Sequence, residues 1–267
     1  MYKKIVAIIG MPRSGTSWLG QIIDSSPNVA YRLEPIFSYA FKNAVDENSS
    51  REDYIKFFNN IYNSKDDFLL QTEKRVSGIY PTFAKNKNPE FLAFKTTRFH
   101  HLLENMLRYF SNLKIISIVR HPCGAIYSWL NTPREFPSTA DPFQEWKTGK
   151  CRKTAKEEFW GFNDWKKVTT LHLKLEKKYP HQLMIIRYED LVENTVEETK
   201  ELFAFTKIKL EQQTIDFIQR CHSRHDEDNY SVFKKKHVVD KWKTDLPLKI
   251  QEQIFAELKN TPLEIFL

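Results

Sequence analysis

The sequence predicts a three-layer α/β domain, with a central, mostly parallel sheet flanked by helices. Three observations lead there. Apolar β runs alternate with helical patterns along the 267 residues, as a parallel sheet with covering helices requires. Several of these runs are apolar nearly throughout, the pattern of strands covered on both faces. The first run, Ile5-Val6-Ala7-Ile8-Ile9, passes through Gly10-Met11-Pro12-Arg13-Ser14-Gly15-Thr16-Ser17-Trp18 into the helical pattern Leu19–Asp24. Strand, glycine-bounded loop and helix in that order form an arrangement that cradles a phosphate on backbone N–H groups.

The expected strands are Lys4–Ile9, Val29–Leu33, Phe91–Lys95, Lys114–Val119 and Leu183–Arg187. Helices are expected at Thr16–Asp24, Phe99–Phe110, Cys123–Leu130 and Glu197–Phe205, with a long one from about Glu157 to Lys178. In the long one Phe159, Phe162, Val168, Leu171 and Leu175 recur near helical spacing. Residues 36–88 read as a polar, aromatic, helical insertion, and residues 131–156, with Pro133, Pro137 and Pro142, as a long ordered loop or lid. No repeat or linker interrupts the chain, so residues 1–267 are expected to form one domain.

Glycine is scarce, seven in all, so the Gly10/Gly15 pair is not compositional noise. The loop is P-loop NTPase-like in spacing but lacks a residue that ATPases need: after Gly15 stands Thr16, not the lysine that reaches the β/γ-phosphates. That points to a phosphorylated nucleotide other than a conventional Mg-triphosphate. The net charge of +7 suits an anionic cofactor, an acidic substrate, a membrane surface or a nucleic acid, and part of it is crowded into Lys234-Lys235-Lys236, Lys241 and Lys243. Three cysteines, Cys123, Cys151 and Cys221, show neither a metal-site nor a disulfide spacing, which fits a reducing compartment. No apolar run approaches the ~20 residues of a membrane span, and the N-terminus does not read as a convincing signal peptide. The expectation is a cytoplasmic enzyme with no membrane span. The aromatic share of 14% suggests a bulky core, a greasy acceptor cleft, or both.

Pro12 to Trp18 resembles, at every position, the 5′-phosphosulfate loop of sulfotransferases that use 3′-phosphoadenosine 5′-phosphosulfate (PAPS), which reads Pro-Lys/Arg-Ser-Gly-Thr-Ser/Thr-Trp. The resemblance implies that Arg13, Ser14, Gly15, Thr16 and Ser17 hold the phosphosulfate and that Trp18 stacks on the adenine. The segment from Val119 to Trp129 is similar to the family's 3′-phosphate motif, in which a strand-end Arg and a Ser eight residues later, here Arg120 and Ser128, bind that phosphate together. Ile185–Leu191 resembles the family's late strand and implies that Tyr188 approaches the adenine. Glu189 and Asp190 read as helix-start charges. Ser231–Lys236 resembles the basic loop that closes over the 3′-phosphate, which leaves open which of Lys234, Lys235 and Lys236 makes the contact.

Sulfuryl transfer needs a deprotonated acceptor hydroxyl and positive charge over the leaving oxygen. One branch of the family carries Lys-Thr-His on its third strand. Here the segment reads Phe94-Lys95-Thr96-Thr97-Arg98, and Thr97 in the His place cannot act as a base. The carbohydrate branch and many bacterial relatives use a Glu inside Glu-Pro. Asn28–Pro35 matches that pattern, which makes Glu34 the expected base, with His100 and His101 as fallbacks. Lys95, with Arg13, is expected to neutralise the bridging oxygen. The resemblance thus implies PAPS as co-substrate, no metal, no nucleic-acid partner, and a small-molecule or glycan hydroxyl as acceptor, a sugar being favoured over a phenol, sterol or lipid. A P-loop small-molecule kinase, a basic nucleic-acid-binding module and a nucleotide-binding domain without turnover are the alternatives.

Overall fold

The computed structural model describes residues 2–223 and 239–267. In chain order the elements are β1 (Lys4–Ile9), α1 (Thr16–Asp24), β2 (Val29–Leu33), α2 (Arg51–Asn63), the short α3 (Asp67–Leu70) and α4 (Thr72–Val76), and β3 (Phe91–Thr96). There follow α5 (Leu103–Tyr109), β4 (Leu113–Val119), α6 (Pro122–Leu130), the one-turn α7 (Pro142–Glu145), α8 (Gly161–Lys178), β5 (Leu183–Arg187), α9 (Tyr188–Glu193) and α10 (Thr195–Thr206). The last are α11 (Gln212–Ser223), α12 (Trp242–Asp245) and α13 (Leu248–Leu258).

The five strands form one sheet in the order β2-β3-β1-β4-β5, and every pairing is parallel. Side chains alternate across it. Val6 and Ile8 join Leu19, Ile22 and Ile23 of α1 and Phe203 of α10 on one face. Ile5, Ala7 and Ile9 join Phe57 and Phe58 of α2 and Leu103 of α5 on the other. Both faces are therefore buried, which is why the strands read as continuous apolar runs. A third cluster packs α6, α8, α12 and α13 around Trp129, Trp165 and Trp242.

β1 leads away toward β2 while β4 leads toward β5, so the strand order reverses between β1 and β4. Ligand crevices of parallel sheets open at the carboxyl ends of strands at such a point. The phosphate loop leaves β1 there, and Arg120 ends β4 beside it.

The expected strands are present, with β3 and β4 each one residue longer. Two helices start later than expected, for local reasons. Phe99 is left-handed (φ 57°), so a 3₁₀ turn over His100–Leu102 precedes α5. Trp160 is extended and Gly161 has φ 80°, so α8 starts at Gly161, where the Trp160 N–H donates to Asp164 Oδ2 at 2.9 Å. Residues 131–156 are ordered as expected: Phe136 and Trp146 are buried in the third cluster.

Candidate active site

The phosphate loop is held by two close approaches. A Cβ on Gly10 would sit 2.6 Å from the Ile118 carbonyl oxygen, so only glycine lets β1 turn this tightly against β4. Gly15 has φ 89°, and a Cβ there would lie 2.5 Å from the Tyr188 ring. Gly15 is also the N-cap of α1, which has neither a capping side chain nor an acidic residue in its first turn. The first N–H groups of this helix are thus left to an anion. Ser14 is buried in the loop and its Oγ makes no hydrogen bond.

Arg13 also adopts a left-handed conformation (φ 68°) and is the hub of the loop. Its Nε–H donates to Ser128 Oγ at 3.2 Å, and Glu135 lies 3.6 Å from the same nitrogen. Its carbonyl accepts from Arg120 Nη1 at 3.0 Å. Arg120 and Ser128, the expected 3′-phosphate pair, therefore meet through Arg13. The Arg120 guanidinium lies 4.7 Å from the Tyr188 ring centre, and its buried Nε has no hydrogen-bond partner. Trp18 packs edge-on to Tyr188, with 6.3 Å between ring centres. Arg13, Ser14, Gly15, Trp18, Arg120, Ser128 and Tyr188 are thereby collected at one crevice, with Thr16 and Ser17 in the first turn of α1. Lys234, Lys235 and Lys236 lie outside the described residues.

Residues with no assigned role in the sequence reading hold this framework. His121 caps α6 through its Nδ1, which accepts from the Cys123 N–H at 3.1 Å, and its ring stacks on Trp242 at 4.2 Å. Burial, reinforced by the Arg187, Lys243 and Arg120 charges, lowers its pKa to about 4, so the ring stays neutral and able to accept. The His121 N–H donates to Glu189 Oε1 at 3.1 Å. Glu189 does stand in the first turn of α9, as a helix-start charge would, but it also fixes the start of α6.

The second half of the site lies at the ends of β3, next to β1, and of β2 beyond it. The Glu34 N–H donates to the Lys95 carbonyl at 2.8 Å, which extends the β2–β3 pairing to the end of both strands. Glu34 is left-handed (φ 40°) and buried. Its Oε1 accepts from the Thr97 N–H at 2.9 Å and from Thr97 Oγ1 at 2.8 Å, and lies 3.1 Å from Lys95 Nζ. Its Oε2 is buried and has no partner. Burial alone would raise the Glu34 pKa, but the Lys95 and Arg98 charges and the bonds from Thr97 and Lys95 outweigh it and hold the group below the ordinary carboxylate value. One oxygen is anchored and the other is unpartnered. Thr97 was legible only as a residue unable to act as a base. Its position in Lys-Thr-Thr carries no sign that it grips a carboxylate 63 residues away. The fallback bases differ: His100 is buried, whereas His101 is exposed and lies 3.7 Å from Glu47.

A family model described as "Sulfotransferase domain" matches residues 3–256. The chain belongs to the sulfotransferase family. This is the PAPS-dependent family whose motifs the sequence resembles. Mouse (Mus musculus) carbohydrate sulfotransferase 3 is 24% identical over 152 residues, 54% of this chain and 32% of that protein, so the chain spans about a third of the length of this curated relative. Among solved structures, mouse sulfotransferase SULT7A1 complexed with PAP superposes with a TM-score of 0.58 at 16% identity, covering 99% of this chain and 88% of that one. The sulfotransferase domain from the curacin biosynthetic pathway gives 0.52 at 18% identity, covering 98% and 99%. Retinol dehydratase in a complex with retinol and PAP gives 0.55 at 13% identity, covering 98% and 83%. These structures share the fold of the chain. Among the described residues no helix is long and apolar enough to cross a membrane, and no group of three or more His, Cys, Asp or Glu side chains is placed to hold a metal ion.

Proposed function

We propose that this chain moves the sulfuryl group of PAPS to an acceptor hydroxyl, a carbohydrate hydroxyl in the first instance, and releases adenosine 3′,5′-bisphosphate. The observation that carries the reading is Glu34, fixed through Oε1 by Thr97 and Lys95 with Oε2 unpartnered, at the carboxyl end of the sheet that also holds an uncapped phosphate loop.

The residues present fit the co-substrate. The glycine cradle at Gly15, the partnerless Ser14 Oγ and Arg120 Nε, and the bare N-terminus of α1 are all suited to receive phosphate oxygens. Arg13, Ser14, Gly15, Thr16 and Ser17 would hold the 5′ end. Arg120 and Ser128 would hold the 3′-phosphate, with Tyr188 and Trp18 near the base and a lysine of 234–236 closing over it. Bound PAPS supplies an activated sulfur and an anionic leaving group. Glu34 Oε2 then takes the acceptor proton, and Lys95 offsets charge on the leaving oxygen together with Arg13. A Lys95 drawn from Glu34 toward that oxygen would leave Glu34 without a neighbour that depresses its pKa and so make it the stronger base.

The Glu-Pro placement of the base and the weak similarity to a carbohydrate sulfotransferase favour a sugar. Exposed Tyr39, five residues beyond Glu34, offers an aromatic face for a sugar ring, whereas the Phe37 ring is stacked by the Arg98 guanidinium at 3.9 Å. Three cysteines outside any disulfide fit a reducing compartment such as the cytoplasm. The test is incubation with ³⁵S-labelled PAPS and a panel of sugars, phenols and sterols. Label in a sugar supports the full reading, and label only in phenols or sterols changes the acceptor class. Turnover with Mg-ATP and none with PAPS would overturn it in favour of a kinase.

A further inference from the structure

We infer that His100 is the second residue on the acceptor hydroxyl, an Nε2–H donor whose tautomer is set from behind by His172 and Ser117. The inference rests on Glu34 as the base.

His100, His172 and Ser117 form a buried file running from β4 through α8 to the turn after β3. Ser117 Oγ lies 2.7 Å from His172 Nδ1, and His172 Nε2 lies 3.1 Å from His100 Nδ1. Burial holds both rings neutral: the His100 pKa falls to about 4 and that of His172 goes well below its ordinary value. A neutral imidazole carries one N–H, so the hydrogens of the file must all point the same way. Either Ser117 donates to His172, His172 donates through Nε2, and His100 carries its hydrogen on Nε2; or every bond runs the other way and His100 Nε2 is bare.

The neighbourhood selects the first direction. The negative charge of Glu34 and the Thr97 carbonyl both favour a proton on the His100 ring. Its Nδ1 faces His172, so the nitrogen turned toward the Thr97 carbonyl and Glu34 is Nε2, and the hydrogen is favoured there. His100 Nε2 is buried and completes no aligned hydrogen bond, and neither does Glu34 Oε2. Buried polar atoms left without partners are uncommon and call for an explanation. Here they are a donor and an acceptor on two electrostatically coupled groups. A single hydroxyl satisfies both: its oxygen accepts from His100 Nε2–H while its hydrogen points to Glu34 Oε2. One lone pair of that oxygen remains for sulfur. As the new O–S bond forms and the bond from sulfur to the phosphate oxygen breaks, the hydroxyl proton passes to Glu34, and His100 keeps its own. The Phe159 ring stands edge-on to His100, 4.9 Å between centres, and excludes water from that side.

The direct test is long-range ¹H–¹⁵N NMR on the full chain with ¹⁵N-labelled histidine, its resonances assigned with His100→Gln and His172→Gln. The expected result is Nε2–H on both rings. A hydrogen on His100 Nδ1 overturns the inference without any knowledge of the acceptor. The kinetic arm uses methyl β-glucoside and p-nitrophenol as probe acceptors. His100→Leu should raise the acceptor KM about tenfold, the worth of one hydrogen bond, with PAP affinity unchanged. His100→Gln, which keeps a donor, should recover part of that loss. His172→Leu should act in the same direction by releasing the tautomer. Normal acceptor KM in both leucine variants would sink the role. A Glu34→Gln enzyme of normal rate beside an impaired His100→Leu enzyme would remove Glu34 as base and leave His100 in place.

Discussion

Around Gly15 the site is made of backbone: two glycines, a left-handed Arg13 and the open end of a helix, with side chains arranged on top of them. Around Glu34 it is made of side chains gripping one another across strand ends, Thr97 and Lys95 on one carboxylate oxygen and a histidine file behind. The first half has its geometry fixed by which residues tolerate a given φ or approach. The second depends on charges that shift one another's proton affinity. A backbone cradle serves an invariant anion well, whereas a mutually tuned cluster can be altered by single substitutions. The two halves should therefore fail differently, in rate on the Glu34 side and in cofactor affinity on the Arg120 side.

The largest expected effect is on the Glu34 side. Glu34→Gln keeps the shape and removes the proposed base, so kcat should drop by about 10²–10⁴, the usual worth of general base catalysis. Calorimetric titration with PAP should give near wild-type affinity. A parallel loss of PAP binding would show that the halves are not separable. Arg120→Ala should do the opposite, weakening PAP binding by about 10–100-fold through loss of charged hydrogen bonds while kcat at saturating PAPS is largely kept.

Thr97→Val is subtler. It removes the Oγ1 donor to Glu34 but leaves the N–H donor, so the Glu34 pKa should rise toward its ordinary value. Glu34 is held below that value in the native state, so it contributes stability that is fully present above its unfolded pKa and is lost as pH falls through the folded one. The valine enzyme should lose that contribution at a higher pH than wild type. The acidic limb of its kcat/KM profile should move up with it, by less than about one unit. An unmoved limb would show that Lys95 and Arg98 alone set the Glu34 pKa. The smallest effect is expected from chelation. In the proposed mechanism Arg13, Lys95, Arg120 and the N–H groups of α1 supply the positive charge, so turnover should be unchanged in EDTA. Loss on chelation and recovery with Mg²⁺ would bring the kinase back.

The backbone half was readable from the sequence because its determinants are local: Gly10, Gly15 and the following helix stand within one stretch, and Arg120 and Ser128 within another. Strand limits were legible for the same reason, each apolar run being covered on both faces. The grip of Thr97 on Glu34 was not, since it depends on the lateral register of β2 and β3, which no local pattern encodes. The joining of Arg120 and Ser128 through Arg13 likewise needs the β1–β4 neighbourhood. The Ser117–His172–His100 file links three elements far apart in sequence, and each member alone reads as an ordinary core or helix residue.

The segment between α6 and α8 joins a fixed path to a variable surface. Phe136 and Trp146 pin it into the core and Glu135 reaches Arg13, while Pro133, Arg134, Ser138, Thr139 and Asp141–Gln144 face solvent. Replacements at such exposed positions ordinarily cost less than about 0.5 kcal/mol. The rim can therefore drift in sequence while its path stays nailed down. Such drift leaves the fold and the Glu135–Arg13 contact untouched.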